Sequence, residues 1–463
     1  MEQAVKSFFK KINGKKIALC GIGRSNLPLA KLFTKYGAKV TMCDKRDISC
    51  FNDVADELIN DGIMLRCGED YLNGLETDIL FRTPGMYYNM PELYEFRKKG
   101  VVVTSEMEVF FDICPCKIYA ITGTDGKTTT TTVVSNILKA AGKTVHLGGN
   151  IGKPLLPNIE NIKCDDIAVV ELSSFQLISM RRSPDVAAVT NIYPDHLNVH
   201  KDMDEYIGAK KNILIHQNAF SRSVLNMDNP DTNALQDIVR GDLYKFSRIN
   251  KVEKGAYLDK DGWLTFTDGT TDEKIVHKDD IKIPGLHNVE NYLCAICMVH
   301  GEVENSIIAN VAKTFGGVEH RIEFVRELNR VRYYNDSIAT SPASVTAGLR
   351  AFGKKIIMIA GGSDKGLDYA ELAKEIVKYV KVLILLGQTA DKIETAVKST
   401  GDYADSNINI IRVKTMEDAV AMANTSAVSG DVVSLSPASA SFDMYKDFED
   451  RGRHYKSIVT ELK

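Results

Sequence analysis

KIYAITGTDGKTTTTTVVSNILKAAG, residues 117–142, has the plan of a strand, a turn and a helix. A strand of apolar and β-branched residues runs into a glycine turn, and a threonine-rich helix follows. The turn is Gly123-Thr124-Asp125-Gly126-Lys127-Thr128, and Thr129 continues the helix. The strict phosphate-loop pattern G-x-x-x-x-G-K-[ST] asks for glycine at 121, where Ile121 stands. The chemistry survives the shortening. Glycines let backbone N–H groups curl around phosphates, Lys127 supplies a point charge, and Thr128 offers a hydroxyl to Mg²⁺. A plain Gly-Lys-Thr turn is the competing explanation, but a strand before and a helix after it favour an ATP site.

The same rhythm extends in both directions. Upstream, KIALCGIG leads into NLPLAKLFTKYG and KVTMCD; downstream come DIAVVEL (166–172) and VAAVTNI (186–192). After GGVEHR the pattern restarts with KIIMIAGG, YAELAKEIVKYV, KVLILLG, INIIRV and DVVSLSP. Alternation of this kind belongs to parallel sheets covered by helices, an α/β class. A two-stranded excursion is expected in GAYLDKDGWLTFTDG, turning at Asp261-Gly262. Compact linkers near 111–116 and 317–320 divide the chain into three expected domains at 1–111, 112–317 and 318–463. The outer two read as Rossmann-like and the centre as P-loop ATPase-like, with mutual orientations free to change.

Composition sets the outer limits. The chain has 463 residues, 58 Lys+Arg against 61 Asp+Glu, and a formal net charge of -3. A near-neutral balance argues against a general nucleic-acid binder. No run of about 18 apolar residues exists to span a membrane, and the start MEQAVKSFFKKINGKK lacks the marks of a secretory signal. A cytoplasmic protein is expected. The nine cysteines are scattered, and Cys114/Cys116 and Cys294/Cys297 read as buried thiols rather than a metal or redox site.

Three further features carry chemistry. Gly21-Ile22-Gly23-Arg24-Ser25-Asn26 ends the first strand, with Asn26 where a dinucleotide fingerprint needs its third glycine. Asp44 stands at the end of the second strand, where such an enzyme would hold a ribose. The turn suits a nucleotide diphosphate at a helix N-terminus and is a poor case for NAD; a packing turn is the alternative. Glu171 closes an apolar strand and His196 follows the next one, and a carboxylate with a hydroxyl suits Mg²⁺.

Taken in order, Gly123–Thr128, Asn150 in GGNIG, Asp195-His196, His287-Asn288-x-x-Asn291, His320-Arg321 and Asp336-Ser337 resemble the Mur ligases. These are ATP-dependent amide ligases of peptidoglycan precursor synthesis, related to folylpolyglutamate synthase. ELSSFQL at 171–177 resembles the members that add D-glutamate, and no DNPR-like motif of the diamino-acid-adding members is present.

The resemblance implies the substrates ATP, UDP-MurNAc-L-alanine and D-glutamate, an acyl-phosphate intermediate, and a monomer working on small molecules. It puts ATP on Gly123–Thr129, with Asn288 and Asn291 facing the adenine and Arg321 and Asp336 reaching phosphates and ribose. Thr128 and Glu171 would hold one Mg²⁺, and His196 with Lys210 a second, Lys210 being carbamylated. Lys211 is the alternative to Lys210. Lys127, His196 and Lys210 are then the catalytic set.

The UDP-sugar falls to Ser25, Asn26, Asp44, Arg46, Thr83, Gly85 and Asn150. D-Glutamate falls to Thr340, Lys365, Ser441 and Phe448. Ile338 departs from the pattern, since some members carry lysine there. A lost charged hydrogen bond at that place is worth roughly 1.5–3 kcal/mol.

Overall fold

A computed structural model describes residues 2–463 except Arg24, Asn198 and Pro284, and omits the side chains of Asn52 and Asp53. Three sheets organise the chain. The first contains β1 (Lys16–Cys20), β2 (Lys39–Asp44), β3 (Met64–Cys67), β4 (Ile79–Arg82) and β5 (Val102–Ser105). All its pairings are parallel, in the order β3-β2-β1-β4-β5. That is the Rossmann order, with the crevice opening beyond the carboxyl ends of β1 and β4.

The second sheet contains β6 (Lys117–Thr122), β7 (Val145–Gly149), β8 (Ile167–Glu171), β9 (Val186–Val189), β10 (Arg222–Asn226), β11 (Asp242–Ser247), β12 (Gly255–Leu258), β13 (Trp263–Thr267) and β14 (Asp272–His277). Their order is β14-β13-β12-β11-β10-β9-β6-β8-β7, so the phosphate-loop strand β6 lies between β8 and β9. The parallel register sets Ile121 opposite Glu171, Thr122 opposite Val189, and Gly149 opposite Glu171. Three loop-bearing strand ends therefore finish at one level.

The expected two-stranded excursion is corrected. Asp261-Gly262 does turn β12 into β13, but β14 adds a third antiparallel strand and β12 pairs with β11, so the segment extends the main sheet. Polar Asp272, Glu273 and Lys274 hide β14 in the sequence; Ile275 and Val276 are the residues it buries.

The third sheet contains β15 (Glu323–Leu328), β16 (Val331–Asn335), β17 (Ile356–Ala360), β18 (Val380–Leu385), β19 (Asn409–Arg412) and β20 (Val432–Leu435), in the order β15-β16-β20-β17-β18-β19. Only β15 is antiparallel. Ile356, Met358 and Ala360 enter one apolar core while Ile357 and Ile359 enter another, the period-two signature of a sheet covered on both faces.

The chain forms two compact units, 1–314 and 315–463. A single apolar core within the first joins its two sheets, from Val5 and Phe9 through Phe110 and Leu156 to Leu225.

Candidate active site

The phosphate loop leaves β6 and enters the helix Lys127–Ala140. Gly126 is the residue before that helix, with φ +78°, and no side chain caps the first turn. A 14-residue helix that begins at a glycine turn presents its dipole and N-terminal N–H groups there, the arrangement that binds phosphate. Thr131 and Thr132 hydroxyls bond the carbonyls of Lys127 and Thr128, which reconciles a β-branched run with a helix.

The loop is strapped by residues the motif does not contain. Thr190 Oγ1 donates to the Asp125 carbonyl (2.6 Å), and the Asp125 N–H donates to Asn191 Oδ1 (2.8 Å). Lys127 Nζ donates to the Thr124 carbonyl (2.7 Å).

Asn291 also braces the loop from the neighbouring helix. On the helix Leu286–Val299 its Oδ1 accepts from Thr130 Oγ1 (3.1 Å), and its Nδ2 donates to Asn288 Oδ1 (3.1 Å). Its carboxamide lies against Gly126, where an added Cβ would come within 2.3 Å of Oδ1. Gly126→Ala should therefore weaken ATP binding at least tenfold and cost about 1–3 kcal/mol through the positive φ and the clash. ATP titration calorimetry and urea unfolding check both effects.

Glu171 ends β8 and is 1% exposed. Its Oε1 accepts from Asn150 Nδ2 (2.7 Å), while Oε2 is buried with no hydrogen-bond partner. A buried carboxylate oxygen without a donor is costly. It fits a divalent cation, with the Thr128 hydroxyl as a further hard oxygen donor. Among the described residues no three His, Cys, Asp or Glu side chains cluster as a self-sufficient metal site. A cation at Glu171 would need phosphate oxygens and water to fill its shell.

Lys210, on the helix Met203–Lys211, is 1% exposed and donates from Nζ to the Gly123 carbonyl (2.7 Å). Its neighbour Lys211 is half-buried, so Lys210 is the enclosed member of the pair. Burial, reinforced by the charge of Lys127, pulls the Lys210 ammonium down to about 7. Its Nζ lies 4.5 Å from the centre of the Tyr206 ring, whose hydroxyl meets Thr124 Oγ1 at 3.0 Å. His196 sits in a left-handed turn, φ +54°, with an exposed side chain. For a residue other than glycine that conformation is uncommon, and such positions gather at functional sites.

The first glycine turn meets the second sheet at a cavity of about 160 Å³, lined among others by Ser25, Asn26, Thr83 and Asn150. Four of the expected UDP-sugar residues thus come together. Gly21 has φ +95°, and a Cβ there would lie 2.8 Å from Thr83 Cγ2, so both the turn and the close approach require glycine. Gly85 lies in the β-turn closed by Met86 N–H to the Thr83 carbonyl (3.0 Å).

Asp44 and Arg46 are spent on each other. Arg46 Nε and Nη2 donate to the two Asp44 oxygens (both 2.9 Å), and the Ile22 N–H donates to Oδ2 (2.8 Å). Asp44 thereby clamps the glycine turn, and an expected uracil or ribose contact must share a carboxylate already filled.

Arg82, in the same cavity, was not read from the sequence. It is 2% exposed and donates to the Phe175 carbonyl (3.0 Å) and Ser179 Oγ (2.6 Å), tying the first sheet to the ELSSFQL segment.

In the second unit, loops after β16, β17 and β20 converge. Arg451, 1% exposed, donates to Ser337 Oγ (3.0 Å), the Ser337 carbonyl (2.9 Å) and the Ser439 and Ala440 carbonyls (3.1 and 3.0 Å). The Ser363 N–H donates to the Ala440 carbonyl (2.9 Å), which draws in the loop of Lys365.

Thr340, Lys365, Ser441 and Phe448 sit on these joined segments, Lys365 exposed and Ser441 buried. The Phe448 carbonyl accepts from Ser337 Oγ (2.8 Å). Arg451 was also missed; Phe448, Tyr455 and Val459 at helical spacing mark the inward face that carries it.

Arg321 is exposed between His320 and Ile322, both at positive φ. Burial pushes Asp336 up to about 7, against the opposing effects of the Ile322 N–H and Arg321. Ile338, half-buried, donates its N–H to the His320 carbonyl (3.1 Å).

Residues 121–299 match the Mur ligase middle domain and residues 320–439 the Mur ligase, glutamate ligase domain. The UDP-N-acetylmuramoylalanine--D-glutamate ligase of Acetivibrio thermocellus is 50% identical over 465 residues, covering 100% of both chains. The protein of that name from Clostridium botulinum is 46% identical, covering 99% of this chain and 100% of its own. In fold, UDP-N-acetylmuramate-alanine ligase MurC from Thermotoga maritima superposes with a TM-score of 0.58 at 19% identity, over 97% of this chain and 100% of that one. The phosphate loop, the carboxylate opposite it and full-length likeness to these relatives agree: the chain belongs to the Mur ligase family.

Proposed function

We propose that this chain joins D-glutamate to UDP-N-acetylmuramoyl-L-alanine at the expense of ATP, as a monomer in the cytoplasm. The observation that carries this is the orphaned Glu171 Oε2 opposite an uncapped phosphate-binding helix. The names of the full-length relatives supply the substrates. Segments 1–111, 112–317 and 318–463, one per sheet, are assigned to nucleotide sugar, ATP and amino acid.

The substrate carboxylate takes the γ-phosphoryl group of ATP and releases ADP. The amine of D-glutamate then attacks the acyl phosphate, and phosphate leaves from a tetrahedral intermediate as the amide forms. Lys127 offsets charge on the phosphoryl oxygens during transfer, and the helix N-terminus presents N–H groups to them. Thr128 and Glu171 would hold one Mg²⁺, and His196 with carbamylated Lys210 a second. When bound, the ions supply electrostatic stabilisation of the transferring phosphoryl group.

Asn150 orients Glu171 from one side and lines the nucleotide-sugar cavity on the other. Lys365 and the hydroxyls of Thr340 and Ser441 are assigned to the two carboxylates of D-glutamate, with Lys365 standing in for the cation that Ile338 does not provide.

The Lys210 environment favours carbamylation. An amine near its midpoint at pH 7 is about half neutral, and the neutral fraction can add to CO₂, forming a carbamate and releasing one proton. The product replaces a cation repelled by Lys127 with an anion attracted to it.

The decisive assay incubates the protein with ATP, Mg²⁺, UDP-MurNAc-L-alanine and each candidate amino acid, and follows phosphate. Release that requires both the nucleotide sugar and D-glutamate is expected. Release without the nucleotide sugar would sink the assignment.

A further inference from the structure

His200 has no place in the roles assigned above. It is 2% exposed and both ring nitrogens are engaged: Nε2 lies 2.9 Å from Ser174 Oγ and Nδ1 lies 3.2 Å from Glu205 Oε2. A carboxylate only accepts, so Nδ1 carries a proton toward Glu205, and Nε2 shares the other hydrogen bond with the serine hydroxyl. Glu205 is held in turn by the hydroxyl of Tyr87, just beyond the Thr83–Met86 turn, and by the Lys201 N–H (3.0 Å).

Serine, histidine and carboxylate in this order have the connectivity of a hydrolytic triad. The burial forbids that use. The His200 side chain is wholly enclosed and Ser174 is 2% exposed, so no acyl group can reach the hydroxyl.

The ring contacts show where the relay leads. His200 stacks on Phe175, with centroids 5.0 Å apart and planes 2° from parallel, and Phe175 touches the His196 ring at 5.1 Å. On its other side His200 meets the edge of Tyr206 at 5.4 Å, the residue that contacts Thr124 and lies under Lys210. The His200 N–H also donates to the His196 carbonyl (3.0 Å), closing the left-handed turn.

We propose that His200 is a positioning residue, which fixes His196 through Phe175 and the phosphate loop through Tyr206, and which Glu205 and Tyr87 anchor to the nucleotide-sugar turn. The assignment rests on the proposed function for its kinetic test, and on geometry alone for its spectroscopic one. Its action is orientation: the exposed His196 imidazole has Asp195 Oδ2 at 3.4 Å, and the stacked pair supplies the apolar wall against Phe175.

The test uses the full chain with His200→Phe, which keeps a flat ring between Phe175 and Tyr206 but removes both hydrogen bonds. Turnover should fall about 10–100-fold, the usual cost of losing an outer-shell partner, while KM for D-glutamate stays near that of the parent. In histidine ring NMR of the ligand-free protein, the His196 signal, identified by its loss in His196→Asn, should move from its position beside Phe175.

Glu205→Gln is the second variant should His200→Phe not fold, and it should give the same pair of changes in weaker form. Tyr87→Phe removes only the outermost link and should change turnover least. An unmoved His196 signal with parental turnover in both His200→Phe and Glu205→Gln would overturn the assignment. So would a loss of turnover accompanied by an unmoved signal. Absence of D-glutamate-dependent turnover in the parent would instead defeat the functional reading and leave the NMR test standing.

Discussion

Lys210→Ala is expected to lose roughly 10²–10³ in turnover, the scale of removing one preorganised electrostatic group from a reacting site. Alanine deletes the amine that the carbamate needs and leaves the Gly123 carbonyl without its 2.7 Å donor. Formate or acetate should restore part of the rate by placing a carboxylate in the vacated space. Parental turnover in Lys210→Ala, or no response to either anion at any concentration, would disprove the carbamate.

The same residue makes a stability prediction with the opposite sign. Its ammonium ionises at about 7 in the folded chain against an ordinary 10.5. Between those values the unfolded chain binds more protons, so stability rises with pH. The burial penalty is complete below pH 7 and fades as pH climbs toward 10.5, at about 1.4 kcal/mol for each pH unit. Lys210→Met removes the charge and should be more stable than the parent at pH 6, with the advantage shrinking by pH 9. Urea midpoints at the two pH values, in buffer freed of CO₂, measure it. An advantage that grows with pH contradicts the assignment.

Lys127→Ala is the second large effect. Lys127 opens the phosphate-binding helix, and its Nζ reaches back to the Thr124 carbonyl. As a compact charge on a flexible stem it can follow phosphate oxygens as their charge builds. Its removal should lower turnover by roughly 10²–10³ while the melting temperature changes little, because the helix is held by its buried face of Val133, Val134, Ile137 and Leu138. Lys127→Arg should recover little, since a planar fork does not fit a cradle built for a point charge. ADP release at saturating ATP measures both. A fall in rate matched by unfolding would show a structural lysine instead.

Much of this site was legible in the chain. The phosphate loop and Glu171 lie beside regular strands, and their expected chemistry follows from residue type and spacing, whereas Asn150 stood out only through the family resemblance. Lys210 was named with Lys211 as its alternative, because one residue of helix rotation decides which is enclosed. Asp44 and Arg46 were legible as a charged pair near a glycine turn, but not as partners consumed by one another. Arg82, Arg451 and His200 left almost no local mark, for each serves groups far away in sequence: Phe175 for Arg82, Ser337 for Arg451, Ser174 for His200.

What the residue order determined alone is the α/β class and the phosphate loop at 123–128, because strand and helix periodicities and a glycine-lysine turn are local properties; the ordered motifs added a resemblance to the family. What only the tertiary structure decided is which polar groups stay unsatisfied and which are already spent. Glu171 Oε2 is left open and Asp44 is filled, although both are strand-end acids. The difference is burial and the donors that parallel pairing and helix packing bring within reach, and those are properties of the fold rather than of the neighbouring residues.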